Sequence, residues 1–122
     1  IFLMDDLKLV RKKIMSAVTD SESVVQFDEE NKPGISNLMS ILAATTGESI
    51  ENIEKRFTGR GYGDFKREVA DAVCDLIGNI QSKYQQFENP DVLNAILDAG
   101  AERARVVASD TLNRAKIALG LK

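Results

Sequence analysis

The chain has 122 residues, of which 43% are hydrophobic and 29% are charged. Its length suits a single domain with one core, and its composition excludes an intrinsically disordered tail. The net charge of -3 argues against a dedicated nucleic-acid-binding protein, whose surface is usually basic overall.

The first predicted helix begins at Asp5 or Asp6, whose carboxylates suit a helix N-cap. Its apolar residues recur at spacings of three and four and would form one face: Leu7, Val10, Ile14 and Val18. The stretch from Thr19 to Pro33 is polar and acidic. We predict a loop there, within which Val24–Phe27 is either extended or an anchor for the loop.

Two shorter helices are predicted next. Pro33 opens the second helix, with Ser36 as its cap and Gly47 as its left-handed stop. Ser49 then caps a third helix that ends near Gly59.

The fourth predicted helix is the longest. It opens at Asp64 after the glycine-rich turn Gly59–Gly63, and its apolar residues keep the helical spacing as far as Phe87. Gly78 in its middle costs about 1 kcal/mol relative to alanine, which indicates a close packing contact.

The C-terminal part is predicted to form two further helices. Asn89 and Pro90 open the fifth, because asparagine caps a helix and proline suits its first position. Gly100 is expected to end or bend it, and a sixth helix follows from Ala101 to about Leu119, with Gly120 as its stop. The predicted fold is therefore all-α, a single-domain bundle of about six helices.

The residue types limit the chemistry. The sequence has no histidine and one cysteine, which removes histidine metal sites, thiolate zinc clusters and the usual general base. The acidic pairs Asp5–Asp6 and Asp28–Glu29 are interpreted as helix caps and solvated surface. We therefore predict no catalytic residue and no metal ligand. Cys74 is predicted to be a buried structural thiol in a reducing, cytoplasmic compartment, and no apolar run is long enough to cross a membrane.

The turn Gly59–Gly63 precedes a predicted helix, where backbone amides can hold a phosphate. An ordinary turn is the favoured alternative, because no strand precedes it and Asp64 places a negative charge at the amide end. If phosphate does bind there, Arg60, Lys66 and Arg67 would assist.

Basic residues concentrate in three stretches, which permits one basic face on an acidic body. On the first helix the cations either hold phosphates or form an ordinary solvated surface: Lys8, Arg11, Lys12 and Lys13.

Several blocks of sequence, taken in order, extend across nearly the whole chain: Asp5–Leu7, Lys12–Ile14, Ala17–Ser21, Asn31–Leu38, Thr46–Ile50, Gly61–Lys66 and Gly100–Ala104. In this order they resemble the C-terminal helical region of bacterial-type tryptophanyl-tRNA synthetases, which are class I aminoacyl-tRNA synthetases. Leu7 is a departure, because the family commonly has proline there; it should affect only the helix start.

The resemblance implies a parent ligase that uses ATP with Mg²⁺ to activate tryptophan and passes it to tRNA, normally as a homodimer. The family's two catalytic signatures lie in a Rossmann domain, and neither occurs here. Residues 1–122 are therefore expected to be a fragment, the helical domain that this family uses for anticodon contact. It would lack the catalytic domain, hold no cofactor and be inactive alone.

We choose candidate tRNA contacts from charge and exposure, because the family gives no residue-level match. Phosphate contacts position an RNA, while unpaired bases are read by stacking and hydrogen bonds. The candidates are eight cations and one aromatic residue that could stack a base: Lys8, Arg11, Lys12, Lys13, Arg60, Tyr62, Lys66, Arg103 and Arg105. For Tyr62 the favoured alternative is an aromatic packed in the loop.

A second hypothesis is a structural module that packs on the catalytic domain without contacting nucleic acid. Its separation from that domain would leave an apolar surface, for which Ile1–Met4 is a candidate. A third hypothesis, a free-standing helical adaptor, needs a natural start near Ile1, and a longer upstream reading frame would eliminate it.

Overall fold

The computed structural model describes residues 1–121 and confirms the predicted all-α class. The described part of the chain contains five helices and no strand. They are α1 (Leu7–Met15), α2 (Pro33–Thr46), α3 (Ile50–Phe57), α4 (Tyr62–Phe87) and α5 (Pro90–Ala118). In this part of the chain no helix has the length and apolar character needed to span a membrane.

Three helix starts are capped as predicted. A side-chain oxygen of Asp6 accepts from the backbone amide of Lys8 at 2.8 Å, and Ser49 and Asn89 cap α3 and α5. The Gly47 stop is also confirmed, with a left-handed φ of 76°. Each of the three caps depends on a side chain within three residues of the backbone amide that it binds.

Ser36 was predicted to cap the second helix, and this is wrong. The helix begins at Pro33, so Ser36 lies inside its first turn and is buried. Its hydroxyl oxygen accepts from the backbone amide of Asp28 at 2.8 Å. Ser36 therefore binds the preceding loop to the helix and does not cap the helix N-terminus.

Three other boundaries differ from the prediction. Helix α1 ends at Met15, so Val18 lies in the following loop and is 88% exposed. Helix α4 begins at Tyr62, two residues before Asp64. Gly100 lies inside the continuous helix α5, since an interior glycine costs a helix only about 1 kcal/mol. The predicted fifth and sixth helices are therefore one.

The chain forms two compact units. The first unit is Ile1–Ser82 and the second begins at Lys83. The first unit contains a hydrophobic core. Within it the Phe57 and Phe65 rings pack edge to face, with 5.1 Å between their centroids. Its fully buried large side chains are Phe57, Phe65, Ile35, Met39, Leu42, Ile53, Val10 and Val69. Cys74 is buried as predicted, and Gly78 lies against Leu7.

The second unit consists of the end of α4 and the whole of α5. Helix α5 has no buried residue. Its large apolar side chains remain 41% to 77% exposed: Val92, Leu93, Ile96, Leu97, Val106, Val107, Leu112 and Ile117. Within this unit α5 therefore has no core comparable with that of the first.

Candidate nucleic-acid interface

A buried lysine fixes the α1–α2 loop, which comprises residues 16–32. The Lys32 ammonium lies 2.5 Å from a Glu22 carboxylate oxygen and 3.3 Å from one of Asp20, and it donates to the Tyr62 hydroxyl at 3.3 Å. That hydroxyl donates in turn to the Asp20 carboxylate at 2.7 Å. The network joins the loop to the first turns of α2 and α4.

The electrostatics of this network favour one protonation state. The hydrogen bond from Tyr62 lowers the pKa of Asp20, with Lys32 adding to the effect. The pKa of Lys32 is raised, chiefly by its bond to Glu22, and burial raises the pKa of Tyr62. At neutral pH the loop is therefore held by an ionised carboxylate, a charged ammonium and a neutral phenol.

Tyr62 is removed from the base-stacking candidates. Its side chain is buried, 9% exposed, and its hydroxyl is occupied by Asp20. Its position agrees with the alternative given above, an aromatic side chain packed in the structure.

The beginning of the same loop also lies close to the helices. The Lys66 ammonium donates to the Ala17 carbonyl at 2.7 Å. A Cβ atom on Gly34 would lie 2.2 Å from the Val18 carbonyl oxygen, so the loop backbone passes directly over α2. The charge of Lys66 is consequently engaged by the loop, and Lys66 is a weaker phosphate candidate than its sequence context indicates.

The four cations predicted on the first helix divide into two pairs. Arg11 binds Asp71 at 2.5 Å, and Lys13 binds Asp5 at 2.8 Å. Lys8 and Lys12 are exposed, and neither forms an ion pair within the described residues. These two residues are four positions apart and so share a face of α1. They are the cations on this helix most available to phosphates.

The α3–α4 turn, residues 58–61, presents Arg60. Its guanidinium carbon lies 4.7 Å from the centroid of the Phe57 ring, and its Nε lies 3.8 Å from an Asp64 oxygen. A cavity of about 330 Å³ opens between this turn and the segment Ser23–Val25.

Lys55 was not among the residues predicted from the sequence. It follows Glu54 and precedes Arg56, outside the three basic stretches. It is exposed in the last turn of α3, and among the described residues it has no acidic partner. The backbone amide of Thr58 donates to its carbonyl at 3.3 Å, so Lys55 lies one turn before Thr58, which lines the cavity.

The second unit carries the remaining candidates, Arg103 and Arg105. Both are exposed on α5, and Arg105 pairs with Glu102. Residues two positions apart point to different sides of a helix, so α5 does not bring these two cations together. No group of three acidic or cysteine side chains in residues 1–121 is placed to hold a metal ion.

Sequence and structure comparisons give one consistent result. The family described as tRNA synthetases class I (W and Y) matches residues 1–78. The chain is 53% identical to the tryptophan–tRNA ligase of Oceanobacillus iheyensis and 50% identical to that of Halalkalibacterium halodurans, over 121 residues in each case. These alignments cover 99% of this chain and 37% of each ligase.

One solved structure is similar to this chain. The crystal structure of a tryptophanyl-tRNA synthetase from Mycoplasma pneumoniae aligns with a TM-score of 0.72 and 32% identity. The alignment covers 100% of this chain and 38% of that synthetase. The chain thus spans well under half the length of the relatives that it matches.

Proposed function

Because the chain belongs to the tRNA synthetases class I (W and Y), we propose that it is the tRNA-binding helical region of a tryptophan–tRNA ligase. The parent enzyme uses ATP with Mg²⁺ to activate tryptophan and transfers it to tRNA. It works in the cytoplasm as a homodimer, and this region adjoins the catalytic domain. The region alone does not form the adenylate.

The observation that supports tRNA binding is a set of exposed lysines of the first unit that have no carboxylate partner in residues 1–121. Lys8 and Lys12 share one face of α1, and Lys55 lies at the end of α3. A lysine already neutralised by a neighbouring acid gains less from a phosphate, whereas each new phosphate contact releases counterions and adds salt-sensitive affinity. These positions allow a chain of net charge -3 to bind RNA.

The test is binding of the tryptophan tRNA to the 122-residue chain, followed by fluorescence anisotropy over a range of salt concentrations. We expect affinity to fall steeply with salt. The double variant Lys8→Ala with Lys12→Ala should make the slope of log affinity against log salt shallower by about 1.4 to 1.8.

The matched control removes two lysines that are not candidates, Lys83 and Lys116. It changes the net charge by the same amount and should leave the slope unchanged. An affinity that ignores salt, or an equal loss in the control, would contradict the proposal.

Exposed apolar surface supports the alternative function, a structural module that packs on the catalytic domain. Phe2 is 75% exposed and Met4 is 60% exposed, and α5 buries none of its residues. This alternative predicts that tRNA does not bind even at low salt, while the separately produced catalytic domain of the same parent does. Binding of both would mean that the region serves both roles.

A further inference from the structure

The cavity beside the α3–α4 turn has the dimensions of a small-ligand site. Its volume of about 330 Å³ lies within the usual range for such sites. One wall comes from the α1–α2 loop and the other from the end of α3 and the turn that follows. The lining residues on which the argument depends are Ser23, Val24, Val25, Phe57, Thr58 and Arg60.

Arg60 supplies a planar, charged surface to this cavity. Its guanidinium lies over the Phe57 ring, 4.7 Å from the ring centroid, and its side chain is 44% exposed. Packing against a buried ring restricts the guanidinium while leaving much of it accessible. A guanidinium held in this way is a surface on which nucleic-acid bases stack.

The opposite wall of the cavity, Ser23–Val25, contains a residue with an unusual backbone conformation. Ser23 has a φ of 62°, a left-handed conformation that costs energy for any residue other than glycine. Contacts on both sides maintain it: Glu22 binds Lys32, and the Val24 carbonyl lies 3.1 Å from the Tyr62 hydroxyl. Val25 is buried in the core. The wall is therefore preorganised.

The side chains that line the cavity do not repel an anionic ligand. Its lining includes Arg60 and no carboxylate, and Lys55 lies one turn earlier without an acidic partner among the described residues. Asp64 is the acid that pairs with Arg60, at 3.8 Å. A ligand with a flat, largely apolar ring and a nearby phosphate matches this arrangement.

We propose that this cavity receives one unpaired RNA base, which stacks on Arg60 while Lys55 binds an adjacent phosphate. The inference rests on the proposed function and adds to it the position at which a base is held. Stacking tolerates different bases, because every base has a π face. The hydroxyl groups of Ser23 and Thr58 would form hydrogen bonds with the edge of the base.

The test measures the coupling between Arg60 and a base. The probe is the anticodon stem–loop of the tryptophan tRNA, intact or with one loop base removed to leave an abasic ribose. For the wild type, removal at one loop position should weaken binding on the order of tenfold. Arg60→Lys keeps the charge but loses the planar surface, so it should bind the intact hairpin more weakly and lose nothing further on removal of that base.

Arg56→Lys is the matched control. Arg56 also lies over the Phe57 ring, at 4.9 Å, but it is bound by Glu48 and Glu68 and does not line the cavity. It should retain the wild-type response to base removal, which separates stacking of a base from support of the Phe57 ring.

A second pair of variants avoids any change to the core. Val24→Asp places a carboxylate at the cavity wall on a residue that is 54% exposed, and it should weaken hairpin binding about tenfold by repelling phosphate. Val18→Asp, on a residue that is 88% exposed and outside the cavity, should have little effect.

The inference is overturned if base removal costs the same in Arg60→Lys as in the wild type, if no loop base matters, or if full-length tRNA binds and the hairpin does not. In each of these cases the proposed function survives. Failure of the full-length tRNA to bind at low salt would instead overturn the proposed function and this inference with it.

Discussion

Helix α4 in the first unit buries Phe65, Val69 and Ile77 to 4% exposure or less, whereas α5 in the second unit leaves Leu93 and Ile96 more than 40% exposed. Both helices are long, and both have apolar residues at helical spacing. The difference is that α4 packs within a unit that has its own core. Apolar periodicity therefore identifies the face that a helix can bury and says nothing about what buries it.

The difference should appear in stability. An isolated helix gains little from propensity alone, so most helical stability in proteins comes from packing. The first unit has that packing, while α5 relies on its Asn89 cap, Pro90 and local pairs such as Arg105 with Glu102. Matched substitutions in the two units test this comparison.

The largest effect is expected from an aromatic truncation. Phe65→Ala removes a side chain that is fully buried and packs edge to face on Phe57, so it should destabilise the first unit by about 3 to 5 kcal/mol. Phe87→Ala removes the same group from a residue that is 42% exposed and should cost well under half as much. Urea denaturation followed by circular dichroism measures both. Equal losses would mean that the two units share one stabilising core.

A smaller loss is expected where the loop crosses α2. Gly34→Ala forces a Cβ to within 2.2 Å of the Val18 carbonyl oxygen, and relieving that contact should cost about 1 to 3 kcal/mol. Gly63→Ala is the control, because its Cβ would meet no atom within 4 Å. It should be neutral or slightly stabilising, since alanine suits a helix better than glycine. Equal effects in thermal denaturation would show that the loop is not held against α2.

These contacts also explain which features the sequence predicts. The caps at Asp6, Ser49 and Asn89 were predicted because each side chain binds an amide two or three residues away. The burial of Tyr62 was only the favoured alternative, because its partner Asp20 lies 42 residues away. Gly100 was misplaced at a helix end because a single interior glycine is tolerated.

The candidate site was predicted less well than the fold. Charge identified Lys8 and Lys12 correctly as exposed cations, yet it could not distinguish them from Arg11 and Lys13, whose acids are supplied by the fold. Lys55 gave no signal because it is outside every basic stretch. The cavity joins segments more than 30 residues apart in sequence, and no local pattern reports such a contact.

Acid should destabilise the first unit through Asp20. Hydrogen bonding lowers the pKa of this carboxyl below its ordinary value of 3.8, so the folded state binds its proton less readily than the unfolded chain. Its contribution to stability is present above pH 3.8 and is lost as the pH falls through the lowered folded value. In Asp20→Asn this part of the acid dependence should disappear, with reduced stability at neutral pH. Thermal denaturation between neutral and acidic pH measures both, and an unchanged acid profile would contradict the role assigned to the network.

The smallest effect on stability is expected from substitutions of two glycines in helix interiors. Gly78→Ala in α4 and Gly100→Ala in α5 each improve helix propensity by about 1 kcal/mol, and the new Cβ would lie 3.5 Å or more from its nearest neighbour in both cases. If α5 forms a separate cooperative unit, Gly100→Ala should raise the free energy of opening of the α5 amides alone. Gly78→Ala should raise the free energy of opening of the amides in the first unit. Hydrogen exchange of backbone amides resolves the two helices. Equal protection of both by either variant would show that the two units unfold together, because stabilising one unit of a cooperative pair stabilises its partner equally.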